Sequence, residues 1–203
     1  MAVDTSRQDF AERLSHWLSP MDTVTLHAAL QPVQPVAQWP APNALQAVAL
    51  AVADEVHQVR EALACAIMAV ALPADPVPGA KVDYAPYQKQ HLALQRQMAS
   101  KIGPLRARVR QALSKASPVL RQLATLDALM DKTLASREQK LLSSVPVFLE
   151  NSLERGHQRK VGQAHPHQFG QAWQMALLAE LDTRLQPVMG LMEAFSNEVD
   201  KQP

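Results

Sequence analysis

A single cysteine and only six glycines in 203 residues exclude several kinds of protein at once. One thiol, Cys65, forms no intramolecular disulfide, so the chain is not a stapled scaffold, and its place in an apolar helix suggests a small buried hydrophobe. Scarce glycine, no Asn-Gly or Asp-Gly pair and few alternating β-branched residues argue against a sheet. Four Phe, three Trp and two Tyr leave the core to Leu, Ala, Val and Met. Such a core is narrow and needs close helix approach, as over the Ala-rich stretch 62–71. The longest apolar block, 44–72, is broken by Asp54, Glu55, His57, Arg60 and Glu61, which are too costly in a bilayer for a span. The start MAVDTSRQDF holds Asp4 and Asp9 and has neither a basic start nor an apolar run, so no secretory leader is expected and the location is read as cytoplasmic.

Catalytic signatures are missing too. There is no Gly-x-Ser-x-Gly elbow, Walker lysine loop, Gly-x-Gly-x-x-Gly or Cys-x-x-Cys. A non-enzyme without cofactor or small-molecule substrate is therefore the expectation. Two carboxylate-x-x-His spacings, Asp54/His57 and Glu154/His157, resemble half of a di-iron motif. They fit poorly, because Val56 rather than His57 lies on the apolar stripe and Gly156 is expected to end its helix before His157. His165 and His167 flank a helix start and read as solvated loop histidines. His91 reads as hydrogen-bonded packing.

What the chain does have is apolar residues in steps of three, four and four, the period of a nearly straight α-helix. Leu45, Val48, Val52, Val56, Val59, Leu63, Ile67 and Val70 form one stripe. Tyr87, His91, Leu94, Met98, Ile102, Leu105, Val109 and Leu113 form the second. The third is Val119, Leu123, Leu126, Met130, Leu134, Arg137, Leu141, Val145 and Phe148. A less regular fourth is Phe169, Trp173, Leu177, Leu181, Leu185, Val188, Met192 and Phe195. Long helices are thus predicted at 43–72, 86–116 and 118–155, with a fourth near the C-terminus. Ser117-Pro118 is a cap and first-turn proline joining the second and third as a hairpin.

Proline marks the boundaries. Short helices are predicted at 6–18, presenting Phe10, Leu14, Trp17 and Leu18, and from the Ser19-Pro20-Met21-Asp22 cap to Leu30. A Pro-rich linker precedes residue 43. Two units follow, 1–42 (short helices and linker) and 43–203 (long-helix bundle). Pro104, Pro146 and Pro187 fall within helices, and because the stripes stay in phase across Pro104 and Pro146, kinks are expected rather than breaks. The fold class is all-α: an elongated bundle of about four long, proline-kinked helices with two short N-terminal ones.

Charge is uneven. Residues 1–79 carry 3 basic and 8 acidic side chains, 80–165 carry 15 and 6, and 166–203 carry 2 and 5. Lys101, Arg108 and Lys115 lie on one flank of the second stripe, and Arg106 and Arg110 on the other. This candidate basic interaction flank either faces water or pairs with acids of the first and last helices of the same bundle, or it meets an acidic partner or anionic lipid. Nucleic acid is disfavoured, since no aromatics interleave the cations. Arg137, on the third stripe, either snorkels to the surface or needs an acid such as Glu180 or Asp182.

The segments 83–98, 102–113, 117–150 and 177–194 resemble an uncharacterised proteobacterial protein family of unknown function, over about two thirds of the chain and including the internal prolines. The resemblance brings no catalytic residues. It implies a gene neighbourhood of stator-like and OmpA-like membrane proteins, hence a cytoplasmic accessory of an envelope assembly. The expectation is a helical scaffold or adaptor that engages a protein partner, or a second copy of itself, through helix packing. The alternative is a peripheral accessory docking its basic flank on lipid or an acidic partner.

Overall fold

A computed structural model describes Glu12, His16 and residues 18–30, 42–71, 83–158 and 166–201, the side chains of 42, 155–158 and 166–168 excepted. Six helices and no strand occur among the described residues: α1 (Pro20–Ala29), α2 (Pro42–Met68), α3 (Ala85–Ser114), α4 (Pro118–Ser143), α5 (Val145–Gln158) and α6 (Pro166–Val199). The helix expected at 6–18 and most of the Pro-rich linker lie outside the described residues. At about 1.5 Å per residue, the 34 residues of α6 reach about 50 Å, which sets the long dimension of the bundle.

Local chemistry explains where the helices start. Ser19 caps α1 by accepting from the Asp22 amide at 3.2 Å, while the Asp22 carboxylate accepts from the Ser19 amide at 2.9 Å. This reciprocal box satisfies two donors that a helix start would otherwise leave open. Ser117 caps α4 by accepting from the Leu120 amide, with Pro118 behind it supplying a preset φ. The short link between α3 and α4 makes the expected antiparallel hairpin, stitched along its length by Arg106 to Asp127 and Gln95 to Leu142.

All eight residues of the second stripe are buried. Against them lies α6, running parallel to α3: Tyr87 meets Trp173 edge-on at 5.5 Å between ring centroids, and four positions further His91 meets Glu180. Tyr84 and Phe169 extend this aromatic end of the core. On α6, Trp173, Leu177, Leu181, Leu185, Val188 and Phe195 are buried, closing the fourth stripe. α2 packs antiparallel to α6 through Val56, Leu63 and Ile67, and an ion pair from Arg60 to Asp182 at 3.0 Å spans the two helices. α1 buries no residue of its own; the Gln122 side-chain amide on α4 holds it by donating to the Leu30 carbonyl at 2.9 Å.

Four expectations need correction. Cys65 is exposed on α2 rather than buried, because the buried residues on either side of it, Leu63 and Ile67, point to a different face. The third stripe is one position off. Val119, Leu141 and Phe148 are 65%, 62% and 64% exposed, while Leu120, Ala124, Leu149 and Leu153 are buried. The reason is that α4 turns Asp127 and Asp131 toward α3, so apolar counting alone misplaces its inner face. The single helix expected over 118–155 is interrupted at Ser144 into α4 and α5, and α5 passes through Gly156 to Gln158 instead of ending before His157.

The three internal prolines behave differently for one physical reason. Pro104 and Pro187 sit inside unbroken helices. The carbonyl Pro104 leaves without a helical donor belongs to exposed Ser100, where water can reach it. The carbonyl Pro146 leaves is that of half-buried Leu142, and there the chain turns at Ser144. Helical pairing resumes at once, with the Phe148 amide donating to the Ser144 carbonyl at 3.0 Å. Tyr84 then fixes the bend, its hydroxyl donating to the Pro146 carbonyl at 2.6 Å.

Candidate docking surface and the polar clamp behind it

Behind the bend lies the most heavily bonded group of the core. Glu180 on α6 is almost fully buried and accepts from His91 Nε2 at 3.2 Å, from the Gln95 amide at 3.0 Å and from Arg184 Nε at 2.9 Å. Gln95 also donates to the Leu142 carbonyl at 3.1 Å, so one cluster ties α3, α4 and α6 together. Burial pushes the Glu180 carboxyl upward, but hydrogen bonds from His91, Gln95 and Arg184, with the Arg184 charge, outweigh it and hold the group below its ordinary value. Because a carboxylate can only accept, the His91 Nε2 contacting it carries the proton. A carboxylate surrounded by donors and held ionised is a poor proton acceptor. The cluster is built to fix helix register.

The candidate basic flank is drawn largely into ion pairs. Arg106 contacts Asp127 at 2.6 Å and Asp131 at 3.0 Å, Arg110 contacts the same two acids at 3.1 and 3.0 Å, and Arg108 bridges to Glu55 on α2. Burial pulls the Arg106 guanidinium toward neutrality, yet the hydrogen bond and charge of Asp127, with Asp131 and Glu138, keep it above its usual value. Lys101 and Lys115 stand exposed. Arg108 thus meets an acid of the first long helix, as expected, whereas the acids that meet Arg106 and Arg110 come from α4. Arg137 is exposed, while Glu180 and Asp182, its candidate partners, are engaged by Arg184 and Arg60.

Of the metal-ligand spacings, only Asp54/His57 lies wholly among the described residues. His57 is exposed beside Glu61 at 3.2 Å, and among the described residues no group of three His, Cys, Asp or Glu side chains gathers. The side chains of His157, His165 and His167 lie outside the described residues. Among the described residues no helix is long and apolar enough to cross a membrane.

The surface that stands out runs along the edge of the first and fourth stripes, which supply Val56, Leu185 and Met192 to it. Along the seam of α2 and α6 two hollows of about 520 and 430 Å³ share Ala53, Met189 and Met192, so they form one groove. It extends from Gln46 beside Asp200 to Arg60 beside Asp182, about four helical turns. Leu50 and Met189 stand on its walls, 61% and 52% exposed. Ala49 and Ala53 keep the α2 side low, as close helix approach requires. A second open groove of about 500 Å³ lies between α3 and α4, where Leu92, Ile102 and Leu142 are interspersed with Arg96, Arg106 and Arg184 and with Asp131 and Glu138, so its charge has no single sign. Leu50 and Met189 escaped the sequence reading because each is a lone apolar residue off its helix's buried stripe. Only the other helix brings them together.

Fold and surface together define an all-helical, extended bundle with an open helix-sized groove. The family model described as "Protein of unknown function (DUF3348)" matches residues 1–197, and the chain belongs to that family. Neither a curated protein nor a solved structure matches it.

Proposed function

We propose that the protein is a non-enzymatic helical adaptor that engages a protein partner by helix packing, and that the α2–α6 groove is where the partner helix lies. The observation that supports this is the groove's combination of length, low alanine side and exposed Leu50 and Met189. A partner helix presenting apolar residues at i, i+3, i+4 and i+7 fits such a channel. Methionine suits the role, since its flexible thioether adapts to different contacts. The polar clamp and the ionic α3–α4 seam keep the groove's supporting helices in register, which preorganises the surface.

Photo-cross-linking tests it. A benzophenone amino acid at position 50, in the full chain in its native cells, is expected to give a discrete protein adduct that the same probe at exposed position 175 does not give. Equal and diffuse labelling from both positions would defeat the proposal.

A further inference from the structure

The groove has an unequal charge distribution. At its Asp182 end the acid is neutralised by Arg60, but at the other end Glu193 and Asp200 rim it without an ion pair among the described residues. A partner ridge therefore needs an apolar crest with a cation at one end. The same chain carries one. At the α4–α5 bend, Leu141 at the end of α4 and Phe148 at the start of α5 are 62% and 64% exposed, with Val147 next to Phe148 at 51%. Exposed Lys140 stands at the α4 end of this crest. Apolar groove meets apolar crest, and acids and a cation that have no ion pair among the described residues meet each other. The charge asymmetry of the sequence, basic in 80–165 and acidic on either side, matches the same division.

We infer that the occupant of the α2–α6 groove is the Leu141–Phe148 crest of a second copy of this chain, with Lys140 set toward Glu193. This rests on the adaptor reading and names its partner. Groove and crest are different surfaces, so the contact is heterologous and head-to-tail, and each added copy leaves one free groove and one free crest. Assembly is open-ended unless the geometry closes a ring.

Sedimentation velocity on the full chain tests this with two blocked variants, Met189→Glu in the groove and Phe148→Glu on the crest. Both residues are exposed, so both variants should fold, which circular dichroism checks. The wild type is expected to grow in mass with concentration, past the dimer. Each variant alone should lose association by more than tenfold, while an equimolar mixture should form a heterodimer and stop there, because one intact groove meets one intact crest. Glu193→Lys should weaken wild-type assembly and Lys140→Glu in the same chain should restore it. A wild type that stays monomeric at the highest concentration, or a mixture that never pairs, overturns the inference. If position 50 still cross-links a different protein, the adaptor reading survives that result; if it cross-links nothing, both fall.

Discussion

Gln95 on α3 gives the Leu142 carbonyl on α4 the hydrogen bond that Pro146, four residues on, is unable to give. The donor comes from another helix, so the bend and the α3–α4 contact are one feature. Gln95→Leu removes the side-chain donor that the half-buried Leu142 carbonyl receives in addition to a backbone N–H of the α4 cap, and removes a donor from Glu180. A loss of about 1–3 kcal/mol is expected for these two bonds, one of them to a charged carboxylate. In a Pro146→Ala background the restored amide can serve Leu142, so chemical denaturation should show a smaller cost for the same Gln95 change. Equal costs in both backgrounds would separate the bend from the bond.

Glu180 gives the stability a defined acid limit. Its folded pKa lies below its ordinary 4.5, so its contribution is complete above about 4.5 and is lost as pH falls through the folded value. Denaturation midpoints should therefore drop in that acid range, and Glu180→Gln, which removes the titrating group, should flatten this part of the profile while lowering stability at neutral pH.

At the alkaline side Tyr84 acts in the opposite sense. Burial, with the Glu150 charge, pushes its hydroxyl up from 10.0 to about 12. The neutral phenol is the form the fold prefers, so stability is complete below pH 10 and declines as pH rises from there toward 12. Spectroscopic titration should show a late tyrosine ionisation step, and Tyr84→Phe should remove it.

Gly190 lies inside α6, and a methyl group placed there meets nothing within 4 Å beyond its own chain neighbours. Alanine lowers the entropy cost of the helix at such a position, so Gly190→Ala should stabilise by about 0.5–1 kcal/mol in a thermal melt. A destabilised variant would mean that this stretch of α6 is packed more closely than described.

Cys65 should react with a thiol reagent under native conditions, at a rate close to that in denaturant, since its side chain is exposed. Slow native labelling would place α2 in a different rotation from that described.

The helices were legible because Leu63, Met98, Leu105 and Leu181 repeat at a helical period that no loop needs, and the Ser19 and Ser117 caps announce their own starts. The inner face of α4 was not, because Asp127 and Asp131 occupy it; acids on a buried face carry no apolar signal and make sense only once Arg106 and Arg110 are opposite. The break at Ser144 was hidden for a related reason. Pro104 and Pro146 look alike in sequence, and only the burial of Leu142 against exposed Ser100 distinguishes them. His91 is hydrogen-bonded packing, as its lone place on an apolar stripe suggests, but its partner Glu180 is 89 residues away and no spacing rule reaches that far. The groove depends on two helices at opposite ends of the chain, so Leu50 and Met189 had no local signature.

Hydroxyl-radical footprinting of the methionines at assembly-level concentration tests the central claim most directly, because Met189 in the groove and Met175 on the same helix outside it begin 52% and 65% exposed. Oxidation of Met189 is expected to fall sharply as concentration rises while that of Met175 holds steady. Met189 and Met175 reacting alike at every concentration, and alike again in extract of the native cells, would contradict a groove that receives a helix.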